Sequence, residues 1–117
     1  MRDYTKLDAF IYADELVLDI YRLTSFFPAV EFYGLTSQIR RAIISVPSNI
    51  VEGSFRESQK EFYRFLEIAF SSLKEAHYQM QLAIRLGYLE VQKFQDCEEK
   101  FVKAEKILAG LLKRMRN

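Results

Sequence analysis

The chain has 117 residues, with 17 Lys and Arg against 16 acidic residues and a formal net charge of +1. A near-neutral balance excludes global attraction to nucleic acid or acidic membranes, so any such binding must come from local clustering. The length suits a single domain spanning residues 1–117, large enough to bury about two-thirds of its unfolded surface. Half the residues are hydrophobic, with ten Phe, seven Tyr and no Trp, and only four Gly and two Pro interrupt them. Long, uninterrupted helices are the expected result. The one cysteine, Cys97, excludes an internal disulfide and a multi-cysteine zinc site and fits a reducing cytoplasm. The N-terminal run MRDYTKLDAF alternates charge with apolar residues, so no signal peptide is expected. No apolar run approaches the roughly 20 residues that span a bilayer.

A first helix is predicted from about Thr5 to Phe26. Leu7, Phe10, Ile11, Leu16, Val17, Leu18, Ile20, Tyr21 and Leu23 give it a wider apolar arc than one partner helix needs. Residues 1–35 carry three basic and six acidic groups, which makes this the acidic third. Phe27-Pro28 stops the helix, and Phe32 and Tyr33 in the connection are expected to cover the bundle end.

A second helix runs from about Leu35 to Glu52. Leu35, Ile39, Ala42, Ile43, Val46 and Ile50 line one face at three- and four-residue steps. Pro47 falls inside it and predicts a kink, or a break and restart, because its ring crowds the Ile43 carbonyl and offers no donor. Ser45, Ser48 and Asn49 can hydrogen-bond freed backbone there. Gly53 is read as a left-handed helix end, and Ser58 followed by Glu61 as a capping box that opens the next helix.

The third helix, from Ser58 or Gln59 to about Leu86, would span roughly 40 Å. Phe62, Phe65, Leu66, Ala69, Phe70, Leu73, Ala76, Met80 and Ala83 mark its buried face, and Gly87 is its expected left-handed cap. The fourth, from about Val91 to Met115, carries Phe94, Cys97, Phe101, Ala104, Leu108, Leu111 and Met115 as a heptad seam. Its remaining charges, Glu98 and Glu105 among them, read as a solvated face. Four helices with short connections give an all-α, antiparallel up-down-up-down four-helix bundle, kinked at Pro47. The broad apolar arcs, with Tyr12, Phe55 and Tyr63 outside a narrow seam, favour self-association.

The run QIRRAIISVPSNIVEG, followed by SQKEFYRFLEIA and LAIRLGYL, resembles the four-helix-bundle family of proteins encoded in intervening sequences of bacterial 23S ribosomal RNA genes. That family includes the accessory variability determinant of diversity-generating retroelements. The resemblance implies the same bundle and a ring-like homo-oligomer such as a pentamer. It also implies a role beside a nucleic-acid enzyme such as a reverse transcriptase. The chain departs from the family at Ser71 and Ser72, where a glycine-serine pair is frequent.

Residues 36–64 form the basic third, with five basic groups against three acidic ones. Arg40, Arg41, Arg56, Lys60 and Arg64 are the candidate nucleic-acid contacts, because spaced guanidinium and ammonium groups are what phosphates bind. The competing reading is that they form ion pairs, Arg64 with Glu61, Arg56 with Glu52 and Arg41 with a neighbour's first helix. The Asn49 amide suits either a base edge or unsatisfied backbone. His77, with no second histidine, reads as a hydrogen-bonded packing residue rather than a metal ligand, and Cys97 as a small core residue. No phosphate loop, nucleophile elbow or paired metal-ligand motif is present in the sequence. The expectation is therefore a non-catalytic, cytoplasmic protein without cofactor, metal or small-molecule substrate. An adaptor or assembly scaffold without nucleic-acid binding is the alternative.

Overall fold

A computed structural model describes residues 2–116 of the chain. Among them are four long helices, α1 (Asp8–Thr24), α2 (Leu35–Ser54), α3 (Gln59–Arg85) and α4 (Val91–Arg116), and no strand. Two short 3₁₀ turns, Tyr4–Lys6 and Ala29–Glu31, precede α1 and α2. The first helix starts later than its apolar pattern suggests because Leu7 is extended, with φ −81° and ψ 124°.

The apolar stripe of α1 is narrower than expected. Ala9, Ala13, Leu16, Ile20 and Thr24 are buried, whereas Ile11 and Leu18 face solvent. At 3.6 residues per turn, Ile11 and Leu18 fall about 180–200° round the helix from Ala9, so they cannot share its face. Small residues, Ala9 and Ala13, join the large Leu16 and Ile20 in defining where α1 meets the core.

Helix α2 runs unbroken through Pro47, so no restart occurs there. Pro47 has no N–H to give the Ile43 carbonyl. Asn49 acts one residue pair further on: its Nδ2 donates to the Ser45 carbonyl at 2.8 Å and to Ser45 Oγ at 2.9 Å. Ser45 Oγ in turn lies 2.9 Å from Ser72 Oγ on α3, fixing the level at which the two helices cross. Ser72 thus supplies a polar contact at the place where the sequence departs from the glycine-serine pattern.

Gly53 does not end α2 in a left-handed conformation. It lies within the helix, and Gly87 is the one described residue with positive φ. What Gly53 provides is closeness, since a Cβ there would lie 2.8 Å from Phe65 Cβ and 3.0 Å from Phe62 Cδ1. Ser58 caps α3 by accepting from the Glu61 N–H at 3.1 Å. The Glu61 carboxylate accepts from the Ser58 hydroxyl at 3.3 Å, so only half of the reciprocal box forms. At the other end of α3, Gly87 at φ 82° completes a Schellman motif. Its N–H donates to the Ile84 carbonyl, and the Tyr88 N–H to that of Ala83, each at 3.0 Å.

Side-chain contacts set the helix directions. Thr24 at the end of α1 meets Arg40 near the start of α2, while Arg2 ahead of α1 reaches Ser54 and Gln59. Asp19 meets Lys100 and Tyr12 faces Lys103 across α1 and α4; Lys74 faces Glu105 and His77 faces Glu98 across α3 and α4. Each adjacent pair is therefore antiparallel. The core between them holds Leu16, Ile20, Ile39, Ile43, Val46, Ile50, Leu66, Leu73, Met80, Phe101 and Leu108, all fully buried. On α4 the buried line ends at Leu112, with Leu111 only half-buried. A drift of one residue over the helix is what a 3.6-residue period gives against a strict 3.5-residue seam.

The bundle end is covered by other residues than expected. Phe27 and Tyr88 pack there with ring centroids 5.7 Å apart, whereas Phe32 and Tyr33 are 53% and 90% exposed. A single carboxylate ties this end together: Glu31 accepts from the Tyr88 hydroxyl at 2.8 Å and from the Leu35 N–H at 3.0 Å. These two bonds hold the Glu31 carboxyl below the ordinary carboxylate range, the Leu35 amide contributing most, and they push the Tyr88 phenol upward.

Candidate nucleic-acid interface

The five cations of the basic third divide by what their side chains do. Arg40 turns toward α1, its Nε donating to Thr24 Oγ1 at 2.9 Å and an Nη to the Tyr21 carbonyl at 3.2 Å, with the guanidinium 4.5 Å over the Tyr21 ring. It satisfies a helix C-terminus, where carbonyls lack intrahelical donors and the dipole favours a cation. Arg56 pairs with Glu52 at 3.0 Å and lies 4.8 Å over the Phe65 ring, while its carbonyl accepts from Arg2.

Arg41, Lys60 and Arg64 are exposed. No hydrogen bond, ion pair or ring contact engages them among the described residues, and Glu61 is turned to Ser58 instead of Arg64. Their placement follows from the Ser45–Ser72 crossing. Arg41 lies one turn before Ser45 on α2, and Arg64 two turns before Ser72 on α3. Because the helices are antiparallel, the two arginines fall on opposite sides of the crossing, about 18 Å apart along the axis at 1.5 Å per residue. Lys60 extends the row by another turn, to about 24 Å.

Two shallow grooves share this face. One is lined by Gln38, Arg41, Ser45, Ser72 and Glu75, the other by Arg64, Glu67, Ile68, Ser71 and Ser72 with the same Glu75. Serine hydroxyls thus lie between the cations, and Glu67 and Glu75 interrupt them, so the face is a spaced row and not a continuous basic patch. A larger groove of about 490 Å³ lies elsewhere, between α3 and α4, with Tyr78, Ile84, Val91 and Phe94 in its walls. Its lining is mainly apolar, and its one cation, Arg85, sits over the Tyr78 ring at 5.8 Å and shares the groove with the carboxylate of Glu98.

The acidic third is partly neutralised within the fold. Lys100 donates to Asp19 at 2.7 Å and lies 3.3 Å from Glu15. The Asp19 hydrogen bond is the main reason the Lys100 ammonium is held above its ordinary range. Cys97 borders that cleft yet is only 3% exposed; burial, reinforced by the Asp19 charge, pushes its thiol up to about 12.

The sequence reading missed one constellation. His77 is buried on α3, stacked on Phe101 with centroids 4.6 Å apart and planes 9° from parallel. Its Nδ1 lies 2.7 Å from Glu105 Oε2 and its Nε2 2.6 Å from Glu98 Oε1. Glu105 is therefore not part of a solvated face, and Glu98, with its side chain 41% exposed, is tied to His77 at the edge of one. Their spacing around Phe101 puts all three on one side of α4, which was the available signal.

An all-α bundle with a surface row of unpaired cations is the class that fold and site define. The family model described as 23S rRNA-intervening sequence protein matches residues 5–110, and the chain belongs to that family. A crystal structure of a protein with unknown function from the S23 ribosomal protein family of Bacteroides thetaiotaomicron has the same fold. It superposes with a TM-score of 0.81 at 24% identity, over 90% of this chain and 95% of that one. No curated protein matches the sequence. None of the described helices is long and apolar enough to cross a membrane.

Proposed function

We propose that this chain is a non-catalytic, homo-oligomeric helical bundle that binds RNA or DNA without sequence preference through Arg41, Lys60 and Arg64. The observation that carries this reading is that these three cations are exposed and have no partner among the described residues. A cation already paired must lose a partner to bind phosphate, whereas a free one loses only counterions. Arg40 and Arg56 take a supporting part, holding α1 and the α2–α3 turn in place. Three phosphate contacts per chain give weak binding, and repetition around an oligomer such as a pentamer multiplies them. An accessory role to a nucleic-acid enzyme, such as a reverse transcriptase, draws on the family resemblance and on the clustered cations, which would bind charge without reading sequence.

Fluorescence anisotropy of labelled RNA and labelled DNA over a range of salt tests the reading. Affinity falling linearly in log salt supports it, with a slope of about −0.9 per phosphate engaged on duplex DNA. Absence of binding at low salt favours the second reading, a protein–protein adaptor or scaffold. That alternative draws on the exposed Phe26, Val30, Phe32 and Tyr33 beside the α1–α2 connection. A monomer in light scattering at micromolar concentration counts against the oligomer in both readings.

A further inference from the structure

We infer that His77 is a proton-operated lock between α3 and α4, held doubly protonated between Glu98 and Glu105. A neutral imidazole has one N–H and one lone pair. Here both ring nitrogens face carboxylate oxygens, at 2.6 Å and 2.7 Å. A neutral ring donates to only one of them and sets its lone pair against the other, and the imidazolium alone donates to both. The arrangement is built and not incidental. His77 is 8% exposed, Phe101 holds its plane from one side, and the Glu105 side chain is only 14% exposed.

The charged groups around the ring are few. From α4 come Glu98 and Glu105; from α3 comes Lys74, 3.7 Å from the second oxygen of Glu105, with the Gln81 amide 3.4 Å from His77 Nε2. No ionisable group of α1 or α2 has a hydrogen bond or ion pair with this cluster among the described residues. With the ring charged, the two carboxylates are balanced by His77 and Lys74. With the ring neutral, one carboxylate faces a lone pair, and one hydrogen bond between α3 and α4 is lost. Glu98, whose side chain is 41% exposed, is the partner free to move into solvent. It also lines the apolar groove between α3 and α4, so its departure opens that groove at Phe94. The sign is fixed by the geometry: the lock is closed at low pH and released as pH rises.

His77 is the only histidine of the chain, which makes the test direct. In ¹⁵N-labelled protein, the two imidazole nitrogens are observed by long-range ¹H–¹⁵N correlation at about pH 7.5, about one unit above the ordinary histidine value of about 6.5, where an unengaged imidazole is mostly neutral. Two protonated nitrogens in the folded protein are expected, and a single neutral tautomer overturns the inference. Thermal melts from about pH 6 to about pH 9 cover the upper part of the range in which histidine changes charge and the region above it and give the second readout, with Glu105→Gln beside the wild type. The amide of that variant can donate to Nδ1 and so accepts a neutral ring. The wild-type melting temperature should drop across the range and the variant's should drop less. Equal pH slopes in the two proteins overturn the lock even if the variant is less stable throughout.

Discussion

Gly53 of α2 and Phe65 of α3 approach so closely that a Cβ on the glycine would lie 2.8 Å from the Phe65 Cβ. That contact sets the separation of the long helix pair at the end away from the Ser45–Ser72 crossing. Gly53→Ala gains up to about 1 kcal/mol of helix propensity but forces the pair apart, and overpacking of this kind costs about 1–3 kcal/mol. Urea unfolding should therefore show net destabilisation, and a more stable variant would mean that the helices separate freely.

Gly87 depends on backbone conformation and not on space. Its φ is 82°, and nothing lies within 4 Å of where a Cβ would be. Gly87→Ala should cost about 1–2 kcal/mol, the penalty of a left-handed residue with a side chain. Gly87→Asn should cost less, because asparagine tolerates that region. Chemical denaturation of both variants checks the order.

The Glu31 clamp predicts an acid-side effect. Its folded carboxyl is held below the ordinary range by Leu35 and Tyr88, so the stabilisation is present above the unfolded carboxylate range and is lost as pH falls through the folded value. Melting curves between neutral and strongly acidic pH should show Glu31→Gln losing less stability on acidification than the wild type. Tyr88→Phe, which removes only one of the two bonds, should fall between them.

Cys97 should be chemically silent in the folded protein. With its thiol pushed up to about 12 and its side chain buried, almost no thiolate exists at neutral pH, and the thiolate is the reactive form. Native protein should resist a thiol reagent and react at once in denaturant. Rapid labelling under native conditions would show that α4 opens away from α1.

Much of the fold was legible because its signals are local. The Ser58 cap, the Gly87 stop and the three- and four-residue stripes of α2, α3 and α4 lie within a few residues of what they determine. The reading weakened where position mattered more than residue type. On α1, Ile11 and Leu18 count as large apolar residues but lie on the wrong side of the wheel, while Ala9 and Ala13, absent from the expected arc, share the contact with Leu16 and Ile20. Gly53 signals special geometry, yet whether it serves conformation or closeness depends on Phe65, twelve residues on.

The site divided along the same line. Arg56 with Glu52 is four residues apart and readable in advance. Arg40 with Thr24 is sixteen apart, and His77 with Glu98 and Glu105 is 21 and 28 apart. Only the antiparallel register brings those residues together, so the sequence offers five basic candidates where the structure leaves three unengaged.

Charge reversal of the three free cations tests the central claim most directly. Arg41→Glu, Lys60→Glu and Arg64→Glu are combined, and a control reverses Lys103, Lys106 and Arg116 on α4, the helix diagonal to α2, with the same change in net charge. Both proteins are titrated against labelled RNA and DNA by anisotropy at low salt, after circular dichroism has shown that both are folded. The account predicts that the α2–α3 variant loses binding and the α4 variant retains most of it. Undiminished binding by the α2–α3 variant, or equal loss in both, contradicts it.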